Sequence, residues 1–307
     1  INHNNTKYDI EYISPILWGE KMKKIKKNDK VIQKSYGKDL IFKVTNIINT
    51  KDGEIAVLKG ITERVQLNSL VEELEVIDRN VVTNAVKEWD NKIESRVKKG
   101  KRESLTNEGI NIFNKISSNK IKTGKILHLD GDKKYSEKSY RYYKKMGLDA
   151  VVKNIPEYKQ PQVVYNLLTI YNPDILVITG HDGMIRSGKS YSDVYNYKNS
   201  RYFIETVKQA RKYDKERGKE LVIFAGACQS YFEALIAAGA NFASSPARIL
   251  IDFLDPLIVA EKIASTEKYK FVTIDDIEGE LRDGKKGVNG IGANGKMKRI
   301  NCNGLVI

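Results

Sequence analysis

A cysteine and a histidine each follow a strongly apolar segment of this chain. Cys228 comes after the apolar run 221–225 and lies in the sequence Gly-Ala-Cys-Gln-Ser. His181 comes after the apolar run 175–178 and lies in the sequence Gly-His-Asp-Gly. A thiol beside an imidazole is the pair that cysteine hydrolases use as nucleophile and base. The two residues therefore predict thiol-dependent hydrolysis, provided that the fold brings them together.

The expected roles of these residues follow from thiol chemistry. A free cysteine has a pKa of ~8.5 and attacks poorly until a base or a helix N-terminus favours the thiolate. Cys228 precedes a predicted helix that begins near Tyr231, and His181 would hold the thiolate as an ion pair or protonate the leaving amine. The backbone N–H of Cys228, with that of Asp182 or Gly183, would bind the oxyanion. Such a donor typically lowers the barrier by ~3 kcal/mol.

A purely structural interpretation of each residue is also open. A single cysteine after a strand is more often a small buried apolar residue than a nucleophile, and a histidine between glycines is usually only a loop residue. His128 lies inside an apolar run and is interpreted as a core histidine, or as one that supports the catalytic residues from behind, rather than as a catalyst. Cys302 lies between two asparagines, far in sequence from any histidine, and is interpreted as structural. The position of Cys228 and His181 after two similar strands is what favours catalysis.

From residue 121 onward, short apolar runs alternate with amphipathic segments. The predicted strands are 126–129, 150–152, the run ending at Gly180 and the run ending at Gly226. The predicted helices are 136–146, the face Val164, Leu167, Leu168 and Tyr171, and the face Phe203, Val207 and Ala210. This alternation predicts an α/β fold with a doubly wound, mostly parallel sheet. Ligands bind at the carboxyl ends of such strands, and both His181 and Cys228 would lie there, on adjacent loops if the two strands are neighbours.

The pattern predicts four segments along the chain. They are an N-terminal extension at 1–28, a small β-barrel domain at 29–80, a helix and basic linker at 81–120, and an α/β domain with a glycine-rich C-terminal segment at 121–307. β-rich runs separated by turn signals such as Asp52-Gly53 predict an antiparallel barrel of the SH3-like kind. Apolar residues recur every three or four positions from Val82 to Val97, which predicts the helix, and the linker begins at Lys98.

The composition indicates an ordinary globular protein with an excess of positive charge. Of the 307 residues, 41% are apolar and 30% are charged, and the formal net charge is +14. Nucleic acid or an acidic protein surface would be attracted to the basic patches at 21–30 and 96–102, but neither patch forms a recognised nucleic-acid-binding motif. Two cysteines cannot form a disulfide framework, and no segment has the character of a membrane span or a secretion signal. We therefore expect a cytoplasmic protein.

Phosphate-binding and metal-binding motifs are not expected to operate in this chain. The run 290–295 matches a dinucleotide-binding pattern, and 290–296 nearly matches a nucleotide loop, but Met297 replaces the required Ser or Thr. No strand-to-helix context surrounds this run, which is interpreted as a glycine-rich turn between late strands. No group of His, Cys and Asp has zinc spacing, so neither a metal nor another cofactor is predicted.

Four strings of residues resemble those of the YabG sporulation-specific peptidase family. They are His-Leu-Asp-Gly-Asp at 128–132, Ile-Thr-Gly-His-Asp at 178–182, Phe-Ala-Gly-Ala-Cys-Gln-Ser at 224–230 and Gly-Ala-Asn-Phe-Ala-Ser-Ser-Pro at 239–246. A histidine after one strand and an Ala-Cys pair after the next also resemble the wider caspase, gingipain and clostripain group. The resemblance extends from about residue 30 to the C-terminus.

This resemblance implies a caspase-like α/β domain and a cysteine endopeptidase in the mother cell of a sporulating bacterium. It implies cleavage of spore coat and cortex-associated proteins, preferably after arginine. Cys228 would be the nucleophile that forms a thioester acyl-enzyme, and His181 the general acid and base, with no third catalytic residue required. The wider group usually has glycine directly after the histidine, whereas here Asp182 precedes Gly183. Which amide completes the oxyanion hole is therefore open.

Recognition of arginine requires a buried carboxylate that accepts a bidentate guanidinium. The candidates near the same sheet edge are Asp130, Asp132, Asp182, Asp252 and Asp255. The sequence does not choose among them, and for each one a helix cap or a solvated acid is the commoner alternative. Peptidases of the wider group are often activated by internal cleavage, so the basic linker with Arg96 and Arg102 is a candidate region for self-cleavage.

Two other classes of function compete with the peptidase. A glutamine-amidotransferase-like hydrolase also places a cysteine at a strand-to-helix turn, but its histidine usually follows the nucleophile, and no histidine follows Cys228. A non-enzymatic nucleic-acid-binding or coat-binding module would use the barrel and the basic patches. Salt-dependent retention on a polyanion, without thiol-dependent hydrolysis, would support that module.

Overall fold

The computed structural model describes residues 24–34, 40–103, 120–185 and 190–300. Within these ranges the chain divides into two units. The first comprises the described residues up to Thr62 together with Asn68–Val86, and the second comprises Glu63–Leu67 together with the described residues from Lys87 onward. The short stretch Glu63–Leu67 therefore belongs to the second unit, although the residues on both sides of it in the sequence belong to the first.

The first unit contains a five-stranded antiparallel sheet. Its strands are β1 (Lys30–Gln33), β2 (Ile41–Thr50), β3 (Gly53–Gly60), β4 (Gln66–Leu70) and β5 (Leu74–Val76), in the spatial order β4-β3-β2-β1-β5. Val31, Val44 and Leu58 are among its fully buried side chains. The predicted Asp52-Gly53 turn joins β2 to β3, and Gly53 has a φ of +121°, which a residue with a Cβ rarely adopts. The β-rich runs predicted for this part of the chain are confirmed.

One long helix, α1 (Arg79–Glu103), follows the strands of the first unit in the sequence. The predicted apolar face is present, and Trp89 and Ile93 pack against a hydrophobic core of the second unit. The helix continues beyond Lys98, so the start of the predicted linker is helical, because its Lys, Arg and Glu residues are good helix formers. The rest of the predicted linker, 104–119, lies outside the described residues. Among the helices of the described ranges, none combines the length and apolar character that a membrane crossing requires.

The second unit alternates strands and helices. Its strands are β6 (Lys120–Lys122), β7 (Ile126–Asp130), β8 (Ala150–Asn154), β9 (Ile175–Thr179), β10 (Val222–Ala225), β11 (Phe242–Ser244), β12 (Phe271–Val272), β13 (Val288–Gly290), β14 (Ala293–Asn294) and β15 (Lys298–Ile300). Its further helices are α2 (Lys133–Met146), α3 (Gln160–Tyr171), α4 (Ser200–Arg217), α5 (Phe232–Ala237) and α6 (Asp255–Ser265). Single 3₁₀ turns in the described residues include Val71–Glu73, Glu157–Lys159, Val194–Asn196, Glu278–Glu280 and Gly284–Lys286.

Six of these strands form one sheet in the order β13-β11-β10-β9-β7-β8, which is parallel except for β13. The predicted mostly parallel sheet is therefore confirmed. β12 pairs with β14, and β6 pairs with β15. The glycine-rich run 290–295 connects β13 to β14, in agreement with its interpretation as a turn between late strands rather than as a phosphate loop.

Helices cover both faces of this sheet. One hydrophobic cluster joins alternate strand residues to α2 and α6, and includes Ile126, Ile175, Val177, Val222, Phe224, Tyr142, Met146, Leu257 and Ile263. The other joins the intervening strand residues to α3 and α4, and includes Leu127, Leu129, Leu176, Ile178, Ile223, Val164, Leu168, Phe203 and Val207. Successive side chains of a strand point to opposite faces, so apolar runs with no polar alternation are what a sheet buried on both faces requires.

The winding direction of the sheet reverses between β7 and β9. From β7 the chain adds β8 on one side, and then adds β9, β10 and β11 on the other. Open α/β sheets bind ligands at such a reversal, beyond the carboxyl ends of the strands. β9 and β10 pair in parallel with Ile178 opposite Ala225, so the prediction that these strands are neighbours is confirmed. His181 and Cys228 each lie three residues beyond this pair, on adjacent loops.

The carboxyl group of Glu157 occupies the space beside two of the strand ends. A Cβ at Gly131, directly after β7, would lie 2.3 Å from this carboxyl group, and a Cβ at Gly180, directly after β9, would lie 2.6 Å from its Oε1. The same Oε1 accepts the N–H of His181 at 2.8 Å. A side chain at either position would therefore displace the Glu157 carboxyl group, and buried Glu157 holds the backbone from which His181 projects.

We expect Gly131→Ala to lower the free energy of unfolding by ~1–3 kcal/mol, because a Cβ inserted into a filled site displaces its neighbours. Gly279→Ala is the matched control, since a Cβ at this exposed glycine would meet no atom within 4 Å. Urea unfolding of both variants measures the difference. Equal unfolding midpoints would show that Glu157 does not fill this space in solution.

Candidate active site

Cys228 lies in the turn between β10 and α5 and is completely buried. Its Sγ accepts the N–H of Ile251 at 3.4 Å and donates to the carbonyl of Ile251 at 3.8 Å. Two residues of this turn have positive φ, Gly226 at +112° and Gln229 at +55°. The N–H of Gln229 donates to Ser245 Oγ at 3.1 Å, which helps to hold an uncommon conformation for a residue with a side chain. The thiol is therefore fixed at one position by the surrounding main chain.

The main chain of His181 is held on both sides. Its N–H donates to Glu157, and its carbonyl accepts a hydrogen bond from Asn199 Nδ2 at 2.7 Å. The buried imidazole meets the ring of Tyr135 edge to face, with 5.6 Å between the ring centroids. Burial raises the pKa of Tyr135 well above its usual value, and the charge of a Cys228 thiolate would raise it further. The histidine ring therefore packs inside the fold against a buried tyrosine.

The carboxylate of Asp182 joins the histidine loop to the cysteine loop. It accepts hydrogen bonds from Ser230 Oγ at 2.8 Å, from Asn199 N–H at 2.7 Å and from Gly183 N–H at 2.9 Å. The hydroxyl of Ser200, the first residue of α4, is a fourth donor. Complete burial raises the pKa of Asp182 to about 6, and these hydrogen bonds act in the opposite direction by favouring the carboxylate. One buried acid thus binds both loops and the start of a helix.

The three amides predicted for the oxyanion hole differ in their hydrogen bonds. The N–H of Asp182 donates to the carbonyl of Arg64 at 3.2 Å, and the N–H of Gly183 donates to the Asp182 carboxylate. Within the described residues, the N–H of Cys228 makes no hydrogen bond. Only the N–H of Gly183 is therefore bound to a carboxylate. The N–H of Asp182 is bound to a peptide carbonyl, and the N–H of Cys228 is not hydrogen-bonded within the described residues.

Three of the candidate aspartates hold other parts of the second unit. Asp132 caps α2 by accepting two of its first N–H groups, one at 2.9 Å and the other at 3.4 Å. Asp252 and Asp255 both lie beside Arg96, at 2.8 and 3.6 Å. Burial, followed by the nearby charge of Asp252, raises the pKa of Asp255 to about 6. Each of these three acids therefore already binds another group of the protein. The same is true of Asp182, whose carboxylate accepts four hydrogen bonds.

Asp130 differs from the other four candidates, because the arginine that it binds is fully buried and its main chain pairs with the histidine loop. It ends β7, is fully buried, and its Oδ2 lies 3.2 Å from Arg64 Nη1. The same oxygen accepts the hydroxyl of Thr179 at 2.7 Å, and Oδ1 accepts the N–H of Asp132 at 2.8 Å. Burial raises the pKa of Asp130, while the charge of Arg64 and the hydrogen bonds lower it. Asp130 is therefore the candidate that binds a buried guanidinium at the winding reversal.

The environment of Cys228 favours the neutral thiol. Burial raises the pKa of this thiol from 9.0 to about 12, and the negative charge of Glu63 adds to the effect, whereas Arg64 and Arg282 lower it. The sequence predicts a thiolate favoured by His181 and a helix N-terminus. The structure differs because water is excluded from the thiol and an acidic residue lies near it. Glu63 itself has a pKa raised to about 7 by burial.

The remaining residues considered in the sequence have simpler surroundings. His128 is fully buried, with Nδ1 3.1 Å from the Tyr143 hydroxyl and Nε2 2.7 Å from Thr179 Oγ1. Burial lowers its pKa well below the usual range, so its interpretation as a core histidine is confirmed. Cys302 lies outside the described residues. Across the described ranges, no group of three or more His, Cys, Asp and Glu side chains is arranged to hold a metal ion.

Three residues whose charges act on Cys228, or are acted on by it, are not among the residues that the sequence predicts for the site: Glu63, Arg64 and Tyr135. Residues 62–67 are predicted as a β-rich run of the barrel, and a single Glu-Arg pair inside such a run is typical of a solvated strand. In the structure, Arg64 is 1% exposed and belongs to the second unit. Tyr135 is one of several tyrosines on α2, and only the fold distinguishes it from the others. No local signal in the sequence identifies these contacts.

We expect native Cys228 to react with iodoacetamide at pH 8 at least ~10³-fold more slowly than in the urea-unfolded chain, since only the thiolate reacts. Because the pKa of the native thiol is raised to about 12, its rate should keep rising from pH 7 to 10, whereas that of the unfolded chain should level off near pH 9. Peptide mapping by mass spectrometry separates Cys228 from Cys302. Similar native and unfolded rates at pH 8 would contradict this description of the thiol.

Comparisons with known proteins identify the family of this chain. The YabG peptidase U57 family matches residues 26–301, a range that includes both His181 and Cys228. The chain is 35% identical over 277 residues to "Sporulation-specific protease YabG" of Bacillus subtilis (strain 168), and the alignment covers 88% of this chain and 95% of that protein. A peptidase acts on protein substrates, which is the partner class that the sequence predicts. The chain therefore belongs to the YabG peptidase U57 family and is a sporulation-associated peptidase.

Proposed function

We propose that this peptidase is a cysteine endopeptidase in which Cys228 attacks the scissile carbonyl and His181 is its acid and base. The observation that supports this assignment most directly is the pairing of β9 with β10. It places the two residues at equivalent positions, three beyond Ile178 and Ala225, on loops that share the Asp182 carboxylate. A nucleophile and a base on adjacent loops of a parallel sheet form the pair that acyl transfer requires.

The chemistry proceeds in two steps. The Sγ proton of Cys228 passes to the imidazole of His181, and the resulting thiolate attacks the carbonyl carbon to form a tetrahedral oxyanion. The intermediate collapses to a thioester as the imidazolium protonates the leaving amine. Water, deprotonated by the same imidazole, then hydrolyses the thioester and restores the thiol. Because the native thiol is strongly protonated, substrate binding must be accompanied by a change around Cys228 that favours proton transfer.

The oxyanion is assigned to the N–H groups of Cys228 and Asp182. The first makes no hydrogen bond in the described residues, and the second already donates to a peptide carbonyl, that of Arg64. Gly183 is a poorer choice, because its N–H donates to the carboxylate of Asp182. The side chain of Asp182 is a positioning group, since it contacts both loops through Ser230 and Gly183. A preorganised donor of this kind is worth ~3 kcal/mol in the barrier.

We further propose cleavage after arginine, with spore coat and cortex-associated proteins as substrates in the mother cell. The sporulation-specific name of the relative supports this setting. We also propose a caspase-like architecture for the second unit, an SH3-like barrel for 29–80, and a helix followed by a linker at 81–120. Self-cleavage near Arg96 or Arg102 is a further part of this proposal. The family match favours a peptidase over an amidotransferase or a nucleic-acid-binding module.

Replacing the nucleophile tests the dyad. We expect Cys228→Ala and His181→Ala each to lower kcat/KM on an arginyl peptide by at least ~10³-fold, since both groups act in the same step. Cys302→Ala is the matched control and should retain wild-type activity. The assay is hydrolysis of a fluorogenic peptide, with circular dichroism to establish that each variant is folded. Full activity of Cys228→Ala would exclude the proposed nucleophile.

A separate peptide series tests the arginine preference. Three fluorogenic peptides differ only in the residue before the cut, which is arginine, lysine or the neutral isostere citrulline. We expect kcat/KM for arginine to exceed that for citrulline by at least ~10²-fold, because a buried carboxylate would be left without its charged partner. Equal rates for the arginine and citrulline peptides would contradict an acidic specificity pocket while leaving the dyad intact.

A further inference from the structure

The stretch Glu63–Leu67 pairs with the loop that contains His181. Val65 forms a parallel bridge with Asp182, in which the carbonyl of Arg64 accepts the N–H of Asp182 at 3.2 Å and the N–H of Gln66 donates to the carbonyl of Asp182 at 2.7 Å. The approach is so close that a Cβ at Gly183 would lie 2.3 Å from the carbonyl oxygen of Gln66. Extended peptides bind to proteins by this kind of main-chain pairing.

The side chain of Arg64 lies in a closed pocket. Nη1 is 3.2 Å from Asp130 Oδ2, and Nη2 donates to the carbonyl of Phe253 at 3.4 Å. The guanidinium lies 5.6 Å from the ring centre of Tyr135 and 5.8 Å from that of Phe253. Within the described residues, its Nε has no hydrogen-bond partner. One carboxylate, one carbonyl and two aromatic rings therefore form a site that fits an arginine side chain.

This pocket is next to the proposed catalytic residues. Tyr135 packs against both the guanidinium of Arg64 and the imidazole of His181. Asp130 ends β7 and His181 follows β9, so the pocket lies at the reversal of strand winding, where open α/β sheets bind ligands. The carbonyl of Arg64 accepts one of the two amides assigned to the oxyanion hole. Arg64 thus has the contacts expected of a substrate residue that precedes a cut.

We propose that Asp130, Tyr135 and Phe253 form the specificity pocket for the residue before the cut, and that Glu63–Leu67 occupies it as an internal pseudosubstrate. This inference rests on the proposed function of Cys228 and His181. It assigns the arginine-binding role to Asp130 among the five candidate aspartates. It also means that the described arrangement is a self-blocked form of the peptidase, in which an external substrate must displace Arg64.

The chain itself makes this block effective. Glu63–Leu67 is continuous with β3 and β4, so the occupant cannot diffuse away. A tethered ligand acts at an effective concentration on the order of millimolar, and external arginine must compete with it. The bond after Arg64 stays intact in this arrangement because the Cys228 thiol is neutral and hydrogen-bonded to the main chain of Ile251. Glu63, whose charge disfavours the thiolate, leaves together with Arg64, whose charge favours it, and the arginine of the entering substrate takes the place of Arg64.

The direct test empties the pocket in the full-length chain. We expect Arg64→Ala to raise kcat/KM on an arginyl fluorogenic peptide at least ~10-fold, mainly through a lower KM, because the tethered competitor is gone. Arg211→Ala is the control, since it removes an arginine that is also paired with an aspartate, Asp214 at 2.7 Å, but lies in α4 and outside the proposed pocket. Its kcat/KM should stay at the wild-type value. A folded Arg64→Ala protein with unchanged or lower kcat/KM would overturn the pseudosubstrate assignment.

A second measurement uses the wild-type chain and does not depend on the folding of a variant. The reagent is an arginyl chloromethyl ketone, which alkylates the nucleophilic thiol of a cysteine peptidase. Its arginine side chain must enter the specificity pocket that Arg64 occupies. We expect labelling of Cys228, followed by loss of hydrogen-exchange protection in the peptide that contains Gln66, whose N–H donates to Asp182. Labelling of Cys228 with unchanged hydrogen-exchange protection of the Gln66 peptide would overturn the pseudosubstrate assignment and leave the proposed dyad intact. Absence of labelling together with absence of thiol-dependent hydrolysis would instead overturn the proposed dyad.

Discussion

The buried carboxylate of Asp182 is the interaction on which the site depends. It binds Ser230 in the cysteine loop, Gly183 in the histidine loop, and Asn199 and Ser200 at the start of α4. A fully buried acid is costly, and it is tolerated here because four donors surround it. Its side chain connects the two loops, which a glycine at this position could not do.

The second feature that organises the site is the parallel register of β9 and β10. Ile178 lies opposite Ala225, and equal offsets from this pair bring His181 and Cys228 to the same sheet edge. Glu157 then fixes the strand ends, because its carboxyl group fills the space at Gly131 and Gly180. The positions of His181 and Cys228 thus depend on packing and pairing that begin well outside the loops.

Local patterns in the sequence predict much of this architecture. The apolar runs mark the strands before His181 and Cys228 because a sheet buried on both faces leaves no polar alternation. The long-range contacts carry no such signal, because each joins residues far apart in the chain, as Arg64 and Asp130 are. Residues 63–67 have the local character of a barrel strand, and only the tertiary fold assigns them to the second unit. The high pKa of the thiol is likewise a consequence of burial, which the residue types around Cys228 do not determine.

The most direct test of the central claim is detection of the acyl-enzyme. The chain is mixed with an arginyl ester, quenched in acid within milliseconds to seconds, and digested for mass spectrometry. A Cys–His mechanism predicts a mass increase equal to the arginyl acyl group on the peptide that contains Cys228, and its absence in Cys228→Ala. Ester hydrolysis with the acyl group on another residue would contradict this mechanism. Ester hydrolysis without any covalent intermediate, under conditions where deacylation limits the rate, would also contradict it.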